Sequence, residues 1–263
     1  MACYIPLMFP AQRIVCLTEE TVETLYLLGE QARIVGISGY CVRPPEARKE
    51  KPRVSAFISA DIPKILALKP DLVLTFSDLQ ADIVAALIRE GVAVHAFNQR
   101  SIAGIFDMIH TVGALAGVGD KAAALVASLG ANLEAVRANA PARKPRVYFE
   151  EWDEPMISGI QWVSELVAIA GGEDIFPERA LHKAAKDRIV SADDVIARDP
   201  DIVIGSWCGK KFSPQRFSAR PGFAALTAVR NNRLHEIKST IILQPGPAAL
   251  TDGLAALQAI IAP

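Results

Sequence analysis

The chain has 263 residues, 51% of them hydrophobic and 22% charged, with 28 Lys plus Arg against 29 Asp plus Glu for a formal net charge of −1. Such a composition supports a sizeable buried core and excludes a disordered polymer, and its balanced charge offers no chain-wide positive field to nucleic acid. Small molecules or proteins are the expected partners, a monomer is expected, and no run approaches the ~20 apolar residues of a membrane span.

The stretch MACYIPLMFPAQRIVCL has no Lys or Arg before Arg13, and Pro6 and Pro10 interrupt its apolar residues. It makes a poor secretory signal, so the expectation is a cytoplasmic chain or one whose export segment is not part of this sequence. The first strand, RIVCL at 13–17, leads to a helix ending LYLLG. Glu19 and Glu20 open that helix, where the positive end of the helix dipole favours acids, and capping is expected for at least one.

Further along, ILALKPDLVLTFSD at 65–78 reads as a helix end, a Pro-Asp turn and a continuously aliphatic strand. Strands of that kind belong to parallel sheets covered on both faces. The same order returns as VIARDPDIVIGSWC at 195–208, an offset of 130 from residue 65 to residue 195. RVYFE at 146–150 answers RIVCL, and LHEIK at 234–238 answers VHAFN at 94–98, which places His95 and His235 inside strands. The offsets drift to 140, as loop insertions would make them.

Three correspondences in one order predict a duplication: an N-terminal α/β lobe over 1–100, a connecting segment over 101–142 and a C-terminal α/β lobe over 143–263. The fold class is α/β, with two Rossmann-like parallel-sheet lobes bridged by one long α-helix. In the connecting segment Leu125, Leu129, Leu133 and Val136 recur at helical spacing and predict a helix near 120–139, ~30 Å long. Gly130 within it costs about 1 kcal/mol relative to alanine, tolerable where a lobe packs closely.

After the repeated strand comes GSWCGKKF at 205–212. It is not a phosphate loop, because Gly205 and Gly209 have three residues between them and Lys210 is followed by Lys211. Nor is it a nucleophile elbow, since Trp207 sits at the centre and Cys208 beside it. Cys208 reads as a packing thiol. The cysteines (Cys3, Cys16, Cys41, Cys208) contain no C-x-x-C pair and the histidines (His95, His110, His182, His235) no H-x-x-x-H spacing, so no metal site is expected.

Ligands of parallel α/β sheets bind beyond the carboxyl ends of the strands. The loops there supply Tyr40, Phe76, Ser77, Asp78 and Arg100 in the first lobe. The second lobe supplies Glu151, Trp152, Trp162, Trp207, Lys210 and Lys211, and hence all three tryptophans. Aromatic walls with a few placed charges suit a bulky, partly flat ligand with carboxylate, phosphate or amide edges. Trp162 also opens an apolar helical stretch and reads equally as core, and the two lysines read equally as a solvated turn. An enzyme acting on such a ligand would draw acid and base groups from Glu151, Asp153, Glu19 and Asp78. No histidine is placed beside a carboxylate in these loops.

RIVCLTEETVETLYLLGEQARIVGIS, DIPKILALKPDLVL, the long helix, SGIQWVSELVAIAGGEDIF and VSADDVIARDPDIVIGS together resemble the BtuF-like substrate-binding proteins of ABC importers for vitamin B12 and ferric siderophores. The resemblance covers nearly the whole chain, and FEEWDEPMISGIQWVSELVAIAGGEDIF is most similar to members called cobalamin-binding. It implies the class III periplasmic-binding-protein fold, limited hinge motion, no intrinsic cofactor, and a corrinoid (cobalamin) or related metal chelate held between aromatic residues of both lobes. It also implies a periplasmic location and docking on a transporter permease through one acidic residue per lobe. Asp193 or Asp194 fits that role in the second lobe. The repeat offset points to Pro63 in the first lobe, a departure from the family pattern, with Asp61 the nearest acid.

Overall fold

The computed structural model describes residues 9–262, so Cys3 and Pro6 lie outside the described residues. The chain forms two compact units, one of residues up to Gln99 with Ala103–Ser128, the other of Arg100–Ile102 with residues from Leu129 onward. The segment 101–142 is divided between them. Helix Ile102–Leu115 and the start of helix Gly119–Ala138 belong almost wholly to the first unit, and the remainder of the long helix to the second.

In the first unit strands β1 (Ile14–Cys16), β2 (Ile34–Ser38), β3 (Arg53–Ser55), β4 (Leu72–Phe76) and β5 (Val94–Phe97) form a parallel sheet in the order β3-β2-β1-β4-β5. Every residue of β1 and β4 is buried, as strands covered on both faces require. Its core is mostly aliphatic: Val15, Leu17, Val54, Ile65, Val73, Ile83 and Leu87.

The second unit contains β6 (Arg146–Asp153), β7 (Met156–Ser158), β8 (Glu173–Asp174), β9 (Ile202–Gly205) and β10 (Leu234–Glu236). Strands β10, β9 and β6 run parallel, β8 adds in parallel to β6, and β7 folds back antiparallel on β6. This hairpin departs from the sequence reading, which puts Glu151 and Trp152 on a loop after the strand. Here β6 continues through Trp152 and Asp153, and Trp162 falls in helix Gln161–Ile169. The core of this unit is built on rings: Tyr148, Phe176, Trp207, Phe212, Phe217 and Phe223.

The repeat is visible in the bonds that its residues make. Asp71 accepts from the backbone N–H groups of Gln12 and Arg13 at 2.8 and 2.9 Å, and Asp201 accepts from that of Arg146 at 2.8 Å, so each Pro-Asp pins the start of its central strand. The residue before each proline, Lys69 (φ 48°) or Asp199 (φ 36°), takes the left-handed conformation that ends the preceding helix. Those helices, Ile62–Ala67 and Ala192–Arg198, are both capped by side chains. Asp61 accepts from Lys64 N at 3.0 Å, and Ser191 and Asp194 form a reciprocal capping box.

The tight approach expected at Gly130 is not there, since a Cβ at that position meets nothing within 4 Å. It occurs at Gly113, where a Cβ would lie 2.3 Å from Ala122 Cβ of the long helix.

Candidate functional site

In each unit strand order reverses beside the central strand, between β1 and β4 in the first and between β6 and β9 in the second. Such switch points leave a crevice at the carboxyl ends of the strands. Phe76, Ser77 and Asp78 stand at or just after the end of β4 beside the first switch point, and Trp207 follows β9 beside the second.

In the second unit Glu150 is fully buried at the β6 side. Arg220 grips it with two bonds of 2.6 and 3.0 Å, and it also accepts from Trp207 Nε1 at 2.9 Å and from the Tyr148 hydroxyl at 3.0 Å. Burial raises the pKa of its carboxyl and the guanidinium opposes that rise. The bidentate geometry is that of a carboxylate against an arginine. Asp153 is ion-paired to Lys210 and, at 3.2 Å, to Arg216. Its burial would raise its pKa, but these cations outweigh the desolvation and hold it below its ordinary range.

The Lys210 ammonium lies 4.2 Å from the Trp152 ring centroid and 5.3 Å from that of Trp207, and the Arg216 guanidinium 5.6 Å from the latter. These are cation–π distances. Gly205 makes the packing possible, since a Cβ there would meet the Phe212 ring at 1.9 Å. A hollow of about 560 Å³ opens at the carboxyl ends of β9 and β10, lined by Trp207, Lys210, Lys211, Glu236, Lys238 and Thr240 among others.

Several expectations need correction. Trp162 is a core residue, 4% exposed, with its indole N–H donated to the Ile242 carbonyl at 2.8 Å. Its helical position turns the ring inward. Trp207 is 2% exposed and belongs to the aromatic core, so it forms the floor of the hollow rather than an open wall. Glu151 is ion-paired at 2.5 Å to the buried Arg188, which also donates to the Ser158 carbonyl, and it anchors the segment 185–188. Cys208 is exposed rather than packed, and its thiol pKa is raised by desolvation and by Glu151. Lys210 lies against Trp152 and lines the hollow together with Lys211, and the Arg100 carbonyl accepts from Trp162 N at 3.1 Å.

In the first unit Glu19 and Glu20 are buried in the first turn of their helix, whose N-cap Thr18 makes no side-chain cap bond. Glu19 Oε2 accepts from the backbone N–H groups of Val42 and Arg43, clipping the loop after β2, and Glu20 accepts from the Thr18 hydroxyl at 2.7 Å. Burial pushes each carboxyl up from 4.5 to about 7. Ser77 sits at φ 62°, ψ 173°, a strained conformation for a residue with a side chain, at the end of β4. Phe76 is buried, while Tyr40 and Asp78 are exposed.

Gln80 gave no signal in the sequence, yet it ties three segments of this crevice. It accepts from Phe76 N at 3.0 Å and donates to the Leu17 and Phe57 carbonyls at 3.3 and 2.8 Å. Glu150, Arg188, Arg216 and Arg220 were also missed. Only Glu150, adjacent to Glu151 at a strand end, carried a cue. Among the described residues no group of three or more His, Cys, Asp or Glu is arranged to hold a metal, and no described helix is long and apolar enough to cross a membrane.

The family model described as periplasmic binding protein matches residues 14–241. A vitamin B12-binding protein of Vibrio cholerae serotype O1 is 27% identical over 249 residues, covering 92% of this chain and 86% of that protein. Among solved structures, a possible iron-binding (periplasmic solute-binding) protein from Staphylococcus epidermidis superposes with a TM-score of 0.84 at 24% identity, over 97% of this chain and 100% of that one. The periplasmic heme-binding protein RhuT from Roseiflexus sp. RS-1 superposes with a TM-score of 0.80 at 23% identity, over 95% and 99%. The two structures share the fold.

Proposed function

The chain belongs to the periplasmic binding protein family, and on that premise we propose that it is a non-catalytic binder of a corrinoid, cobalamin first, or of a related metal chelate, serving an ABC importer. The observation that carries this reading is the cation-lined hollow over Trp207 at the carboxyl ends of β9 and β10, with Lys210 of its lining stacked on Trp152. A concave, partly aromatic surface with a few placed polar groups binds by complementarity and needs no activated residue. The relatives whose names state vitamin B12 and heme support a flat chelate as the guest.

Ligand contacts are assigned to Trp152, Lys210 and Lys211 in the second unit, with Trp207 beneath them. An acid–base enzyme is disfavoured, because Glu151 and Asp153 are both committed to ion pairs. Asp193, exposed in the first turn of its helix, is the docking acid of the second unit; Asp194 and Asp61 are engaged as caps.

Titrating cyanocobalamin into the protein and following tryptophan fluorescence tests this reading. Saturable quenching at one equivalent is expected. Trp152→Ala should weaken binding about fivefold, the scale of roughly 1 kcal/mol for one stacked ring, while Cys208→Ser leaves it unchanged. Absence of quenching by any metal chelate, or a spectral change that continues at catalytic protein amounts, rules the proposal out.

A further inference from the structure

The cations of the second unit fall into two sets. Arg188, Arg220, Arg216 and Lys210 are committed to Glu151, Glu150 and Asp153. Lys211 and Lys238 line the hollow, are exposed, and have no carboxylate partner among the described residues. The Ser239 and Thr240 side chains stand beside them in the lining. The one acidic residue lining the hollow, Glu236, has its Oε1 engaged by the Phe212 N–H at 2.9 Å. Gly209, at φ 75°, makes the turn that returns Lys210 and Lys211 to the mouth of the hollow.

Because Trp207 is covered, this surface offers a guest uncompensated ammonium groups more than ring faces. We propose that the bound chelate carries an anionic oxygen group at its edge, carboxylate or phosphate, and that Lys211 and Lys238 are the residues that select for it. The inference rests on the chelate-binding reading and narrows it. Exposed charge-assisted contacts of this kind are individually modest, so two together are expected to be worth about tenfold in affinity.

Paired guests test it: haemin against its dimethyl ester, which removes the carboxylate charge, and cyanocobalamin against dicyanocobinamide, which lacks the phosphate together with its ribose and benzimidazole. Dissociation constants come from fluorescence titration at low and high salt. In at least one pair the anionic member should bind about tenfold tighter, the preference should shrink with salt, and Lys211→Ala with Lys238→Ala should abolish it. Thermal melting of that double variant, and of Lys211→Gln with Lys238→Gln, should match the parent. Equal affinities within both pairs, or a preference that survives the double variant, overturns this inference and leaves chelate binding standing. Absence of binding by all four guests overturns both.

Discussion

Both units carry two adjacent glutamates on the carboxyl side of the central strand, and the two pairs are held in opposite ways. Glu150 and Glu151 in the second unit each receive an arginine, Arg220 and Arg188. Glu19 in the first unit receives backbone N–H groups and Glu20 a single hydroxyl, and one oxygen of each carboxyl, Glu19 Oε1 and Glu20 Oε2, has no hydrogen-bond partner. One pair is therefore an anchoring charge cluster, while the other sits near its titration point at neutral pH. Burial alone does not decide the state of a carboxylate; the partner supplied by a distant part of the chain does.

The largest effect should come from breaking the charged pair. Glu150→Ala strands Arg220 and leaves the Trp207 indole and the Tyr148 hydroxyl without their acceptor. A loss of about 3 kcal/mol in urea unfolding is expected, and a loss under 1 kcal/mol would show that the cluster is dispensable.

Glu20→Gln probes the other pair and should act in the opposite direction. A carboxyl whose folded pKa is raised from 4.5 to about 7 contributes stability fully below 4.5, and that contribution is lost as pH rises through 7. The substitution should therefore stabilise by about 3 kcal/mol at pH 8 and change little at pH 4, at about 1.4 kcal/mol per unit of pKa shift. A pH-independent difference between the variant and the parent would contradict the assignment.

The smallest test concerns what the units share. Asp61→Ala and Ser191→Ala each remove an N-cap side chain at equivalent repeat positions and should each cost about 1 kcal/mol. Unequal losses, measured by thermal melting, would mean that one of these side chains does more than cap.

The halves were legible because their repeat rests on local grammar: the Pro-Asp turn, the left-handed residue before it and the aliphatic strand after it are short-range devices. Side-chain destinations at the site were not, because they depend on distant partners. Arg220 lies 70 residues from Glu150, and Arg188 lies 37 from Glu151 in a stretch without periodicity. The tryptophans were assigned from sequence to the loops after strands, but residue type does not reveal direction, and two of the three rings turn inward. Gln80 was invisible for a related reason. A polar residue at a helix start is common, and only the folded chain shows three backbone segments converging on its amide.

The chain passes from one unit to the other three times, around Arg100, Ile102 and Ser128. As a result, no single uninterrupted stretch of coding sequence specifies either unit. A fragment ending at residue 99 would lack Ile105, Met108, Ile109 and Val112, which are buried residues of the first unit. Separating the halves for study would call for a rewired chain order rather than a truncation.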